Sequence, residues 1–102
     1  MAEISMKFNP EFIPLILNGK KIVTTRLKQK GLPGDKFTVD DQKFCIKGVG
    51  ILKLYLVLKQ YRSEGFSSAT AFYETLKRIY PEIDLDSVVY VHYFCSDRDE
   101  VA

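Results

Sequence analysis

The stretch VVYVHYF, residues 88–94, is the strongest strand signal in the sequence and sets the interpretation of the rest. It consists of β-branched and aromatic residues around a single histidine, a composition that favours strands. Further strands are predicted by alternating or β-branched residues upstream of it, at 3–8, 21–27, 36–40, 43–48 and 50–61. The last two are either separate strands or one long strand bent at Gly48 and Gly50, where a bulge is natural.

Two segments between these strands each contain a predicted helix, NPEFIPLILNG (9–19) and SEGFSSATAFYETLKRIYP (63–81). The first begins with a capping asparagine and a proline and ends at a glycine, although its second proline indicates an irregular start. The second has Ser67 or Ser68 as a cap and Pro81 just past its end. The predicted fold is therefore α+β: a small, mostly antiparallel β-barrel with two helices packed on it, in one domain of residues 1–102.

The composition is that of an ordinary globular protein, with 46% hydrophobic and 27% charged residues. No apolar run approaches the ~20 residues that a membrane span requires, and the N-terminus lacks the pattern of a signal peptide. We therefore expect a cytoplasmic protein without membrane contact. The chain has two cysteines and one histidine, without metal-ligand spacing, so neither a metal nor another cofactor is expected. A Cys45–Cys95 disulfide stays open, because it depends on the redox compartment.

Charge is divided unevenly along the chain. Residues 1–63 contain 12 Lys and Arg against 5 Asp and Glu, whereas residues 64–102 contain 3 against 8. Such a division is typical of a basic face that binds nucleic acid. It is equally expected if the two halves neutralise each other across the fold.

The basic stretch GKKIVTTRLKQKGLPGD, residues 19–35, contains the first candidate site. In a regular strand Thr24 and Arg26 point to one face and Thr25 to the other. Lys21 precedes the strand, so periodicity does not decide whether it lies beside Thr24. A hydroxyl between a lysine and an arginine can be activated or can bind an anion. A solvated strand edge has the same composition.

Glu64 is the second candidate, since it stands directly before the predicted second helix. A carboxylate in this position either complements the positive end of the helix or acts as an acid or base opposite a lysine. His92 lies within the strongest strand and is expected to be a packed, hydrogen-bonded residue.

Several separated motifs together resemble the ASCH domain family: GKKIVTTRL, LPGDKF, EGF before a helix that ends in IYP, and the closing VVYVHYF. The resemblance covers residues 4–94 and implies a fold related to the PUA barrel, a module common in RNA-modifying proteins. In that family the residues of the G-x-K-x-x-T-x-R pattern and a later glutamate line one pocket. The matching residues here are Gly19, Lys21, Thr24, Arg26 and Glu64. Where the family usually has a threonine after the basic pair, this chain has an isoleucine at position 22.

The resemblance also implies an activity, because small bacterial ASCH proteins similar to this chain are N4-acetylcytidine amidohydrolases. It implies Lys21, Thr24 and Glu64 as catalytic residues, with either Thr24 or a Glu64-activated water as the nucleophile. The expected substrate- or RNA-binding residues are Gly19, Lys20, Arg26, Lys28 and Lys30. The alternative is a non-catalytic RNA-binding module, or a ribonuclease, that uses the basic face of residues 19–62. A modified nucleoside or RNA is the expected partner, and the oligomeric state stays open.

Overall fold

A curved, four-stranded antiparallel sheet in the order β1-β4-β3-β2 is the centre of the fold. The computed structural model describes residues 2–100, and their side chains through residue 98. The strands are β1 (Val23–Arg26), β2 (Lys36–Val39), β3 (Gln42–Lys53) and β4 (Val88–Ser96). The sheet forms half a barrel with helices against it, so the predicted α+β class with a barrel-like antiparallel sheet is confirmed.

Helical segments precede, interrupt and follow the strands. They are the 3₁₀ turn Pro10–Phe12, α1 (Ile13–Leu17), α2 (Leu54–Val57) with the 3₁₀ turn Leu58–Gln60, α3 (Ala69–Ile79) and α4 (Asp97–Glu100). Both predicted helices are present, the first shortened by its irregular start. The hydroxyl of Ser68 caps α3 by accepting a hydrogen bond from the N–H of Ala71 at 3.0 Å. No helix within residues 2–100 is long and apolar enough to cross a membrane.

The stretch 43–61 follows the predicted bent strand only in its first part. β3 is one continuous strand whose register with β4 shifts between Ile46 and Gly48, which confirms the bulge. The prediction of a strand through residue 61 is wrong, because the chain becomes helical at Leu54. Leu54 and Val57 are fully buried at a helical spacing, and this burial outweighs the alternating leucines that suggested a strand.

The prediction of a strand at residues 3–8 is also wrong. Only Glu3 forms a bridge, which is parallel and pairs with Lys36. Beyond Ile4 the chain leaves the sheet, and the carbonyl of Lys7 accepts a hydrogen bond from the guanidinium of Arg26 at 2.7 Å. Met6 is nevertheless buried, so this segment covers the sheet without extending it.

Two apolar clusters lie against the sheet. The first comprises Val23, Leu54, Val57, Phe72, Leu76, Ile83, Val89 and Val91. The second comprises Met6, Ile16, Phe37, Val39, Phe44, Ile46 and Phe94. The first joins α3 to the sheet and the second joins the N-terminal segment to it. Together they fix three elements around the outer edge of β1: α3, the segment of residues 7–12 and the turn that carries Glu64.

Candidate functional site

A cleft of about 90 Å³ lies between β1, residues 7–12 and α3. Its polar lining includes Lys21, Thr24, Thr25, Arg26 and Glu64, and its aromatic lining includes Phe8, Phe12, Phe66 and Tyr80. Pockets for whole drug-sized ligands usually enclose ~300–1,000 Å³. The cleft therefore has room for a small group, or for the edge of a larger ligand whose remainder stays outside.

Lys21 and Glu64 form a buried ion pair in the cleft. The Lys21 ammonium donates to Glu64 Oε1 at 3.1 Å and to the Glu64 carbonyl at 2.9 Å. Only 4% of Lys21 and 1% of Glu64 is exposed, so water does not screen their attraction. The rings of Phe12 and Phe66 lie 5.1 Å and 5.9 Å from the ammonium, which adds cation–π contacts. Lys21 therefore lies opposite Glu64. One of the two sequence alternatives for Glu64, an acid or base opposite a lysine, requires this arrangement.

Thr25 binds the other oxygen of the same carboxylate. Its hydroxyl donates to Glu64 Oε2 at 2.5 Å. Both Glu64 oxygens thus accept charge-assisted or short hydrogen bonds, one from an ammonium and one from a hydroxyl. Lys21, Thr25 and Glu64 form one connected group, which is called the buried triad below.

Burial shifts both ionisable members of the buried triad toward their neutral forms. It raises the pKa of the Glu64 carboxyl and lowers the pKa of the Lys21 ammonium, because in each case loss of hydration outweighs the attraction of the partner. The two pKa values therefore lie closer together than those of free side chains. A proton can move within this group at lower cost than in water, which is a property expected of an acid–base site.

A sharp turn places Glu64 beneath β1. The N–H of Ile22 donates to the carbonyl of Ser63 at 2.9 Å, and Gly65 follows with φ of +94°. A Cβ on Gly65 would lie 3.1 Å from Leu15 Cδ1 and 3.4 Å from Lys21 Cβ. The turn thus requires both the backbone freedom and the small size of glycine.

Gly65→Ala is expected to lower the free energy of unfolding by about 1–3 kcal/mol, because alanine disfavours this φ and crowds Lys21. Chemical denaturation measures the loss. Gly48→Ala is a matched control, because open space surrounds the position of its Cβ and its φ is not positive. Equal stability of the two variants would contradict a role for the turn.

Thr24 belongs to a second group, on the opposite face of β1. Its hydroxyl accepts a hydrogen bond from Arg26 Nε at 3.1 Å, which confirms that Thr24 and Arg26 point the same way. The guanidinium of Arg26 also donates to the Lys7 carbonyl and lies 4.9 Å from the centre of the Phe8 ring. Arg26 is thus held at the edge of the cleft with its guanidinium over an aromatic ring.

His92 contacts this second group, Thr24 and Arg26, through the backbone of Thr24. It is fully buried, its Nε2 accepts from the Lys30 N–H at 2.9 Å, and its Nδ1 lies 3.3 Å from the Thr24 carbonyl. An acceptor at Nε2 and a carbonyl at Nδ1 require the neutral tautomer with its proton on Nδ1. His92 is therefore the packed, hydrogen-bonded residue that was expected, and it ties the loop at Lys30 to β1.

Burial lowers the pKa of His92 below its ordinary value of 6.5. The unfolded chain then binds a proton at a higher pH than the folded chain, so the contribution of His92 to stability is complete above pH 6.5 and decreases as pH falls through the folded pKa. We expect the unfolding free energy of the wild type to fall between pH 7 and pH 5 more steeply than that of His92→Gln, by up to ~1.4 kcal/mol per pH unit. Denaturation series at both ends of this range measure the two slopes, and parallel slopes would contradict the assignment.

The remaining predicted binding residues lie outside the cleft. Gly19 ends α1 with φ of +81° and is exposed, as are the side chains of Lys20, Lys28 and Lys30. The structure thus brings Lys21, Thr24, Arg26 and Glu64 to one cleft and places the other four on the surface. Their roles in binding stay predictions.

Sequence reasoning missed Thr25 as a member of the site. The alternation argument correctly placed it on the opposite face from Thr24, but that face was not connected to Glu64. The pair of adjacent threonines was the available signal for a role of Thr25 in the site. Residues on both faces of an edge strand can line the same cleft. The aromatic lining, which includes Phe12, was also missed.

The histidine and cysteine residues do not assemble into a metal centre in the part of the chain that is described. No group of three His, Cys, Asp or Glu residues within 2–100 is placed to hold a metal ion. Cys45 and Cys95 lie directly opposite each other on β3 and β4. Whether the two cysteines form a disulfide stays open, as it does in the sequence.

Comparisons with known proteins identify the fold through structure and not through sequence. No protein-family model and no curated protein matches the chain. An ASCH domain from Lactobacillus crispatus JV V101 superimposes with a TM-score of 0.73 at 15% identity, covering 93% of this chain and 79% of that one. The hypothetical protein PH0355 gives a TM-score of 0.70 at 21% identity, covering 93% and 97%. Protein PF0455 from Pyrococcus furiosus gives 0.66 at 19%, covering 95% and 98%.

These similarities extend over nearly the whole chain, although the identities are low. They agree with the half-barrel sheet and with the sequence motifs that resemble the ASCH family. The chain therefore has the fold of an ASCH domain.

Proposed function

We propose that this chain binds a nucleoside, or an exposed base of RNA, in the cleft and hydrolyses an acyl amide on it, with N4-acetylcytidine as the first substrate to test. The observation that carries the proposal is the buried triad, in which a lysine and a hydroxyl bind the two oxygens of one buried glutamate. Isolated buried charges are costly, and groups with shifted pKa values are concentrated in functional sites. The resemblance of the sequence to small bacterial ASCH proteins supports the choice of substrate.

Amide hydrolysis requires a nucleophile, a group that moves protons and a group that stabilises the oxyanion. Lys21 can supply positive charge for the oxyanion. Glu64 can take a proton from the nucleophile and return it to the leaving nitrogen, because its raised pKa suits both steps. The resemblance implies the hydroxyl of Thr24 as the nucleophile, and a water activated by Glu64 is the alternative that the sequence leaves open.

The cleft also suits a planar ligand. Phe12 and Phe66 lie edge to face with their ring centres 5.7 Å apart, and both belong to its lining. Aromatic side chains stack on bases, and the fork of an arginine such as Arg26 binds a carbonyl or a phosphate. A volume of about 90 Å³ admits the acyl end of the ligand and leaves the sugar at the entrance.

The deciding experiment incubates the purified chain with N4-acetylcytidine and follows cytidine by liquid chromatography. Release of cytidine in proportion to enzyme concentration is expected. Absence of release at high enzyme concentration would contradict this substrate.

A non-catalytic RNA-binding module is the second candidate function. The observation that favours it is the exposure of Lys20, Lys28 and Lys30, which leaves their ammonium groups available to phosphates. Each neutralised phosphate releases a counterion, so binding of this kind weakens steeply with salt.

Charge reversal tests this second candidate. If these lysines bind RNA, Lys28→Glu with Lys30→Glu should reduce the slope of log affinity against log salt by about one per lost phosphate contact. Reversal of the exposed residues Arg78 and Arg98 is the matched control. RNA binding that responds equally to both double variants would exclude a specific role for Lys28 and Lys30.

A further inference from the structure

We propose that Thr25 Oγ1, rather than Thr24 Oγ1 or a water, is the nucleophile that accepts the acyl group in this site. For its natural substrate the inference rests on the proposed function. It assigns to Thr25 a covalent role that the sequence motif gave to its neighbour.

Hydrogen-bond direction separates the two threonines. Thr25 Oγ1 donates its proton to Glu64 Oε2 at 2.5 Å, so proton transfer from hydroxyl to carboxylate needs no rearrangement. Thr24 Oγ1 instead accepts a hydrogen bond from Arg26 Nε at 3.1 Å. A guanidinium donor withdraws electron density from that oxygen and holds it in the second group, whereas the contact with Glu64 increases the nucleophilicity of Thr25.

The hydrogen bonds and the burial of Glu64 also disfavour a water as the nucleophile. Oε1 accepts from Lys21 at 3.1 Å and Oε2 from Thr25, while the residue is only 1% exposed. The lone pairs that remain on these oxygens are almost out of reach of solvent, so a water would have to enter the buried triad before Glu64 could act on it as a base. Thr25 lies in the position that such a water would need, and it lines the cleft.

The buried triad and water together supply and accept every proton that the resulting reaction transfers. Thr25 Oγ1 attacks the acyl carbon while its proton passes to Glu64, and the Lys21 ammonium compensates the negative charge that develops nearby. The C–N bond then breaks, Glu64 returns the proton to the leaving nitrogen, and an acyl ester remains on Thr25. Water hydrolyses this ester, with Glu64 taking the proton of the water and giving it to Thr25 Oγ1.

An activated ester tests the nucleophile without depending on nucleoside recognition. The wild type is mixed rapidly with p-nitrophenyl acetate, quenched in acid and digested for peptide mass spectrometry. We expect a burst of nitrophenolate of about one equivalent per chain and one acetyl group on the peptide at Thr25, since an ester intermediate produces this signature. Thr25→Val should lose both signals and Thr25→Ser should retain them. The exposed Thr38→Val is the matched control and should behave as the wild type.

The outcomes separate this inference from the proposed function. Acetylation of Thr24, or a burst that persists in Thr25→Val, would overturn the inference. Turnover of N4-acetylcytidine with no acetyl group on any threonine would also overturn it and would favour the activated water. Acetylation of Thr25 without turnover of N4-acetylcytidine would support the nucleophile and refute the substrate. Peptide mapping of the wild type decides the question even if Thr25→Val does not fold.

Discussion

Glu64→Gln is expected to lower the rate of cytidine release from N4-acetylcytidine by about 10²–10⁴-fold, the usual contribution of a general acid–base residue. Glutamine is nearly isosteric with glutamate and can still accept one hydrogen bond. It cannot take the proton of a nucleophile, nor return one to the leaving nitrogen. The loss should therefore appear mainly in kcat, with a smaller change in KM.

The matched control for this variant is Glu74→Gln, which makes the same chemical change on the exposed side of α3. Circular dichroism establishes that both variants are folded at the assay temperature. Turnover of Glu64→Gln at the wild-type rate would refute the assignment of Glu64 as the acid–base residue. Equal loss in both variants would mean that the effect does not arise in the cleft.

Lys21→Met is expected to lower the free energy of unfolding by about 3–5 kcal/mol, because it leaves the Glu64 carboxylate buried without its positive partner. The free energy of unfolding of an ordinary domain is only ~5–15 kcal/mol, so this variant should be marginally stable. The double variant Lys21→Met with Glu64→Gln buries no charge. It should recover part of the loss, which gives a coupling energy of up to ~3 kcal/mol in the double-mutant cycle.

The exposed ion pair of Arg78 and Glu11, whose atoms lie 3.4 Å apart, provides an internal comparison. Exposed pairs of this kind couple by ~0–1 kcal/mol, since water screens them. Urea denaturation of both cycles measures the two coupling energies. If the coupling of Lys21 with Glu64 were no larger than that of the exposed pair, the charges of the buried triad would not depend on each other.

The elements with strong local signals could be predicted from the sequence. The strand of residues 88–94 and the capped helix that begins after Ser68 were both identified, because composition, spacing and capping agreed. The strand predicted through residue 61 was wrong for a physical reason. The same stretch contains alternating leucines, which favour a strand, and the pair Leu54 and Val57 at a helical spacing. Only the burial of that pair in the folded protein decides for a helix.

The site could be predicted only in part, because its parts come from distant segments. Lys21 and Glu64 are 43 residues apart, and local periodicity carries no information about their contact. The resemblance to a known family supplied that pairing. It could not supply the contact of Thr25 with Glu64, since this contact depends on the turn at Gly65 and on the position of β1 at the edge of the sheet.

The central position of β4 has a consequence for the order in which the molecule assembles. β1 pairs with β4 and β2 pairs with β3, so a growing chain can form the β2–β3 hairpin early, while β1 must wait for a partner that is synthesised last among the described strands. Such non-local pairing slows folding and leaves a strand edge exposed during synthesis. The ammonium of Lys21 is thus withdrawn from water late, once β4 has entered the sheet. A nascent chain that stops before β4 would lack the strand that β1 pairs with, and with it the cleft that lies beside β1.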